Sequence, residues 1–265
     1  FMKIIHLSDT HIDPEILHKI DAQDRFKLAL NHIKNNHTDA DHLMITGDLT
    51  HFGNNKSYQI FSNILSEAKL PYHLNPKLII GNHDDRENFK NNFPNIKTDE
   101  NGFIQYVEKD GNKTFVFLDT NLTGTDVGHL CDKRQQWIKK TLEKEKSNKI
   151  YIFMHHNPLA IGHINSDAIG LLQRENLKKI LLEYKSSIQH IFFGHQHVTC
   201  SGNYIGISFS SPRSTWHPLV SNFLDRYRLL TAQTDPNYNV ILIEEDSLIV
   251  HSEDFLKTDV NLFAG

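Results

Sequence analysis

Aspartate, asparagine and histidine recur where apolar runs end, at a spacing able to assemble a metal site. Residues 3–8 run into Asp9-Thr10-His11, and residues 42–46 into Gly47-Asp48. Residues 77–80 run into Gly81-Asn82-His83-Asp84, and residues 149–154 into His155-His156-Asn157-Pro158. Residues 190–193 run into Gly194-His195-Gln196-His197. These donors are carboxylate oxygen, amide oxygen and imidazole nitrogen, with no thiolate. That set suits divalent Mn, Fe, Zn or Co and argues against a structural zinc finger. Asp9 and His11 are two residues apart; on an extended backbone both would face one ion, and His195 and His197 repeat the spacing. The donors are too many for one tetrahedral ion. Two ions sharing a carboxylate account for them, and a pair about 3.5–4 Å apart clamps both the attacking and the leaving oxygen of an in-line displacement. Singly, each residue has a plainer use, since an Asp after a strand is commonly a turn or cap residue. Five sets, each at a strand end, carry the reading.

The runs that position these groups are short, β-branched and aromatic: residues 3–7, 42–45, 77–80, 113–118, 149–154 and 190–193. Helical spacing lies between several of them, over residues 22–35, 57–68, 133–146 and 173–184, with Asp132 and Gln135 as a capped start to the third. Alternating strands and helices predict a mixed or largely parallel sheet with helices packed on it. Such sheets bind ligands beyond the carboxyl ends of their strands, where the donors stand. Gly47, Gly81 and Gly194 permit tight turns there. Further on, Ser201-Gly202-Asn203 separates two strand-like pieces. Residues 227–231, 239–244 and 248–251 predict a β-meander, with Glu245-Asp246-Ser247 as a turn. No linker or repeat divides the chain. A single domain over residues 2–265 is expected, with residues 200–265 as its C-terminal β-rich part.

Composition excludes more than it identifies. The net charge of −4 is too mild to imply a partner, and without a basic stripe nucleic acid is disfavoured. Cys131 and Cys200 offer no disulfide framework, and a reducing compartment fits. Phe1 ahead of Met2 reads as a tag remnant. Met2 then leads straight into a strand, with no leader pattern, and no apolar stretch approaches the roughly 20 residues that span a bilayer. A cytoplasmic protein without a membrane partner is expected. The anomaly is 18 histidines, a residue that binds metals and moves protons. Outside the strand ends, His6, His32, His37, His42 and His73 read as packing or surface residues. His129, His163 and His217 lie in loops that could rim a pocket. Residues 157–170 could wall it, and Trp216 and Phe209 read as core.

The strand-end residues resemble the calcineurin-like metallophosphoesterases, whose signature is D-x-H, GD, GNH[D/E], a lone H and GHxH. All five blocks occur in that order from Asp9 to His197. The HLSDTH segment, the His-His-x-Pro stretch and Arg174-Glu175-Asn176 look like the class III cyclic nucleotide phosphodiesterase group, which includes glycerophosphodiesterases. The resemblance implies an α/β fold, a four-layer sandwich of two mixed β-sheets flanked by helices. It implies that Asp9, His11 and His197 hold one metal ion, that Asp48 bridges, and that Asn82, His155 and His195 complete the second site. His83 would lie over the phosphate, stabilising its charge or protonating the leaving oxygen, a contribution of about 10²–10⁴-fold. His155 and His156 both end one strand. Relatives carry histidine, a variable residue, then proline, which favours His155. The His-His-Asn-Pro here departs from the His-His-Pro-Pro common in relatives, a change that touches loop shape.

The implied function is a dinuclear-metal phosphohydrolase, a phosphodiesterase acting on a cyclic nucleotide or a glycerophosphodiester by in-line attack of metal-bound hydroxide. Its partner would be a small-molecule phosphate ester. A phosphomonoesterase would use the same site. A nuclease would want a basic groove. A non-catalytic scaffold would be free to lose ligands, and every matched ligand is present. Dimers in the related group make a homodimer through the C-terminal strands an expectation.

Overall fold

The computed structural model describes residues 1–231 and 234–256. In chain order the elements are β1 (Met2–Leu7), α1 (Ala22–Asn36), β2 (His42–Thr46), α2 (Asn55–Ala68), β3 (Lys77–Ile79) and α3 (Arg86–Asn92). Then come β4 (Tyr106–Asp110), β5 (Lys113–Phe117), α4 (Asp132–Glu145), β6 (Lys149–Phe153), α5 (Ile164–Ala168) and α6 (Arg174–Glu183). The chain continues through β7 (Ile188–Phe192), β8 (Cys200–Tyr204), β9 (Ile207–Ser211), β10 (Leu219–Val220), β11 (Leu230–Thr231), β12 (Asn237–Ile243) and β13 (Leu248–Asp254).

Two mixed sheets form, ordered β13-β12-β1-β2-β3 and β4-β5-β6-β7-β9-β8. In the first, β1, β2 and β3 are parallel and β12 and β13 antiparallel. In the second, β5, β6, β7 and β9 are parallel, with antiparallel edges at β4 and β8. Period-two alternation along the second sheet explains the layering. Phe115, Phe117, Tyr151, Phe153 and Phe192 share one core with the first sheet and with Phe26, Leu30, Tyr58 and Phe61 of α1 and α2. Val116, Ile150, Ile152, Ile191 and Phe193 turn the other way, onto Ile138 and Leu142 of α4 and Leu177 and Leu181 of α6. The result is helix, sheet, sheet, helix, the expected architecture. Between the sheets Tyr106, Phe117, Phe153 and Phe192 stack in succession, with ring centroids 4.5, 5.3 and 4.6 Å apart.

Three expectations are corrected. Ser201, Gly202 and Asn203 lie inside β8, and the turn comes at Ile205-Gly206. The C-terminal strands are no separate meander: β12 and β13 extend the first sheet, while the residues expected as strand 227–231 contribute only β11, paired with β10. Asp132 is the first residue of α4; Cys131 is its N-cap and makes no side-chain capping bond. Among the described residues, no helix is long and apolar enough to cross a membrane.

Candidate metal centre

Because β1, β2 and β3 run parallel, the segments carrying Asp9, Asp48 and Asn82 leave the first sheet side by side. The parallel pair β6 and β7 delivers His155 and His195 from the second sheet. The donors therefore meet at the carboxyl edges of both sheets. Asp9, Asp48 and His155 are buried. His11 Nε2 lies 3.1 Å from His197 Nε2 and 3.5 Å from Asp48 Oδ2, and His197 Nε2 lies 3.5 Å from Asp9 Oδ1. Asp9, His11, Asp48 and His197 each offer a donor atom within 4.8 Å of the others. On the far side of Asp48, His155 Nε2 is 3.3 Å from Asp48 Oδ2, 3.1 Å from Asn82 Oδ1 and 4.0 Å from Asp9 Oδ1. Asp48 thus stands between two groups of donors.

The backbone reaches this geometry differently from the extended spacing expected. Asp9, His11, Asp48, His195 and His197 have φ of 58, 46, 47, 70 and 55°. These are left-handed conformations, which non-glycine residues rarely hold and which cost about 1–3 kcal/mol each. Neighbouring hydrogen bonds enforce them. Asp9 and His11 N–H donate to Gly47 O and Asp48 O at 3.1 and 2.9 Å, and His195 N–H donates to the Asp9 carboxylate at 3.1 Å.

The surroundings fix which atoms are free to bind. A carbonyl oxygen only accepts, so the ring nitrogen facing it carries the proton. His155 Nδ1 donates to Thr46 O and His197 Nδ1 to His217 O, each at 2.7 Å, which leaves both Nε2 atoms toward the carboxylates. His195 is reversed: its Nε2 donates to Ile169 O at 3.1 Å, leaving Nδ1. Carbonyl partners of this kind orient metal-binding histidines. Asp84 locks the loops after β2 and β3 together, accepting from Leu49, Thr50 and Gly81 N–H at 3.0, 3.1 and 2.9 Å and from the Thr50 and Tyr58 hydroxyls. Asn121 Nδ2 donates to Gly81 O and Asp84 O. Asn121 is held in turn by Asp119, which pairs with Arg86 and Arg134.

The electrostatics fit cations. Burial opposes ionisation of Asp48, yet His155, then His83 and His11, hold it well below the usual carboxylate range. Asp9 is depressed likewise: burial opposes its charge, and His197 and His155 outweigh burial. For His155 burial disfavours the proton, but Asp48 and then Asp9 push it up to about 9. For His195 burial, reinforced by the charge on His155, pushes it down to about 3. The second proton on His155 thus occupies a position that a divalent ion would take from the same buried donors; for His197, burial disfavours the proton but Asp9 outweighs it and raises the pKa. A methyl group at Gly81 would fall 2.2 Å from Asp48 Oδ1 and 2.6 Å from His155 Nε2, so only glycine leaves this space open.

The sequence model of the family described as calcineurin-like phosphoesterase matches residues 2–199. The chain belongs to the calcineurin-like phosphoesterases. It is 27% identical over 260 residues, 96% of this chain and 93% of the relative, to a Rhodopseudomonas palustris protein named "Probable cyclic nucleotide phosphodiesterase". It is 30% identical over 201 residues, 74% of this chain and 72% of the relative, to an Arcobacter nitrofigilis protein named "Probable glycerophosphodiester phosphodiesterase". Among solved structures, a Danio rerio dimetal phosphatase superposes with a TM-score of 0.71, covering 96% of each chain at 11% identity, a likeness of fold. This phosphoesterase is a metal-dependent hydrolase of phosphate esters.

Within the phosphoesterase site, every residue singled out from the sequence stands at the strand ends. His83 donates its backbone N–H to Asp48 Oδ1 at 2.9 Å, and its Nδ1 donates to His51 O at 2.8 Å. His156 Nδ1 lies 2.8 Å from Thr120 Oγ1, and His156 also offers a donor atom within 4.8 Å of donors on His155 and His195. Residues 157–170 do wall the site, through Ile169 O on His195 and Ser166 O on Gln196. Of the loop histidines, His217 contributes its carbonyl, His129 pairs with Arg134, and His163 is buried beside Phe223. Trp216 is buried as expected, but against His11, with ring centroids 4.9 Å apart. Sequence reading missed His51, whose ring stacks on His83 at 4.8 Å and whose Nδ1 lies 3.2 Å from His11 Nδ1. It saw Asp84 only as the end of the GNH[D/E] block, without its clamp role, and it missed Asn121. A lone histidine or asparagine in a loop carries no signal of its own.

Proposed function

We propose that this chain is a dinuclear-metal phosphodiesterase acting on a small phosphodiester, a cyclic nucleotide or a glycerophosphodiester. The observation that carries the reading is Asp48, a buried carboxylate with a separate donor group on either side. Asp9, His11 and His197 would hold one ion, Asn82, His155 and His195 the other, and Asp48 both. The donor set suits Mn, Fe, Zn or Co. When bound, such ions neutralise phosphate oxygens and acidify water enough to give a nucleophile near neutral pH. The protein's part is orientation and proton handling. Its carbonyls fix the tautomers of His155, His195 and His197. His83, with its Nδ1 proton committed to His51 O, would protonate the leaving oxygen or donate to the phosphate from Nε2 as the imidazolium, which bears a proton on both nitrogens. Relatives named for cyclic nucleotide and glycerophosphodiester hydrolysis support the diester class.

The cytoplasm is the compartment we assign, supported by two free cysteines, Cys131 and Cys200. We read residues 2–265 as one domain, since the C-terminal strands complete both sheets.

The test is kcat/KM with manganese-loaded protein on bis-p-nitrophenyl phosphate, p-nitrophenyl phosphate, cyclic AMP and a glycerophosphodiester. Diester turnover is expected, lost in Asp48→Asn together with full metal loading. Preference for the monoester would replace the diesterase reading with a phosphatase. No turnover by metal-loaded protein would sink the enzymatic reading.

A further inference from the structure

His32, His37 and Glu253 come together at a place separate from the strand-end centre. Each offers a donor atom within 4.8 Å of the other two. His32 lies on α1. His37 caps that helix, leaving helical geometry at φ −136° and ψ 41° while its N–H still bonds to Ile33 O at 2.8 Å. Glu253 of β13 is paired directly with Tyr238 of β12, so both side chains leave the sheet on the same face.

His37 is the group without an explanation. It is 9% exposed, and both of its ring nitrogens are buried without a hydrogen-bond partner. A neutral imidazole presents one donor and one acceptor, and buried groups of that kind are normally satisfied. His32 is already oriented. Its Nδ1 lies 2.7 Å from the Tyr238 hydroxyl, and the rings of His32 and His37 both meet Tyr238 edge-on at 5.9 and 5.8 Å. A proton on Nδ1, donated to the phenol oxygen, leaves the Nε2 lone pair for a ligand bond. Lys3, the cation that bears on His37, is paired with Asp39 at 2.8 Å.

We propose that His32, His37 and Glu253 form a further binding site, independent of the dinuclear centre, for a zinc-like transition-metal ion. Two imidazoles and a carboxylate are borderline donors, which select zinc, nickel or copper over magnesium or calcium. Three protein ligands leave a fourth tetrahedral position to water. Ligands about 2.0–2.2 Å from such an ion stand roughly 3.4 Å apart, inside the 4.8 Å bound on the cluster's donor separations, and half-buried Glu253 on its strand can make up any difference. The ion would tie the end of α1 to the C-terminal hairpin.

Zinc bound per chain is measured by competition with a chromophoric chelator and by elemental analysis after gel filtration, in wild type, His37→Asn, Glu253→Gln and Tyr238→Phe. Wild type is expected to hold one equivalent more than His37→Asn or Glu253→Gln. Zinc should raise its Tm more than theirs, and diester turnover should be the same in all. Tyr238→Phe should keep the site but weaken it about 10–100-fold. Glu253→Gln changes one half-buried group and carries the test alone if His37→Asn does not fold. Equal stoichiometry in wild type and folded variants overturns the proposal, as does binding of the extra ion only at millimolar zinc.

Discussion

Replacing Asp84 by asparagine tests whether the two loops that carry Asp48 and Asn82 are held by one buried carboxylate. Asp84 Oδ2 accepts from Leu49 and Gly81 N–H, and Oδ1 from Thr50 N–H and the hydroxyls of Thr50 and Tyr58. An amide has a single acceptor oxygen. With its amino group in place of Oδ2 it would oppose two backbone N–H groups. In place of Oδ1 it would oppose one, since the two hydroxyls can turn to accept. The second arrangement is cheaper and still leaves a buried N–H without a partner, at about 1–3 kcal/mol. Losing charge-assisted acceptance by the remaining oxygen adds about 1 kcal/mol. Burial, then the Asp48 charge, push Asp84 up to about 6, so a measurement at pH 8 compares the ionised carboxylate with the amide. A loss of about 2–4 kcal/mol in a chain of this size lowers Tm by roughly 4–16 °C. The loops should also loosen, lowering metal affinity and kcat/KM by at least about tenfold. Calorimetry and steady-state kinetics on the manganese-loaded protein read both effects. A Tm within about 2 °C of wild type and unchanged kcat/KM would refute the clamp.

Three further outcomes are expected. Gly81→Ala, whose Cβ would fall 2.2 Å from Asp48 Oδ1, should displace that carboxylate and cut kcat/KM by about 10² or more, with metal content falling in elemental analysis. His83→Gln should keep the metal content and lower kcat by about 10²–10⁴, less on p-nitrophenyl esters, whose leaving group needs no proton, than on natural diesters. Asp48 and Asp9 raise His155 to about 9, so if it is a ligand as proposed, metal binding at pH 7 would expel its proton. Calorimetric titrations in buffers of different ionisation enthalpy should show proton release that fades as pH approaches 9. The stability that His155 lends the ion-free fold is present below about 6.5 and lost as pH rises through about 9, so its Tm should decline over that window.

Much of the site was legible because its signal is local: a strand-like run, then Asp, Asn or His, five times over. The helix–sheet layering was legible for the same reason, since the aromatic and β-branched runs of β5, β6 and β7 announce strands wherever they pair. Pairing itself was not legible. Nothing in residues 42–46 or 149–154 says that β2 and β6 lie in different sheets, because strands covered on both faces read alike. Left-handed backbone at Asp9, His11, Asp48, His195 and His197 left no trace, since none is glycine and tertiary hydrogen bonds impose it. The same holds for Asn121 and the carbonyls of Thr46, His217 and Ile169, whose partners are distant in sequence; Asp84 was visible within the GNH[D/E] block, but its bonds to Leu49 and Thr50 were not.

Packing between the sheets explains how donors from two sheets can be held in register. Phe153 and Phe192 stack at 4.6 Å, near the ends of the strands that deliver His155 and His195. His6, buried in β1, sets its ring edge-on to both, at 5.8 and 5.7 Å. His6 Nε2 reaches Thr46 Oγ1 at 2.8 Å, and Thr46 O receives the proton of His155 Nδ1 at 2.7 Å. Core aromatics, a strand histidine and a backbone carbonyl thus connect the sheet that carries Asp9 and Asp48 to the ring that faces them. Densely packed interiors shift little, so the residues that would hold the ions are already turned toward one another, and the strained turns at Asp9 and His197 are supported by the bonds around them.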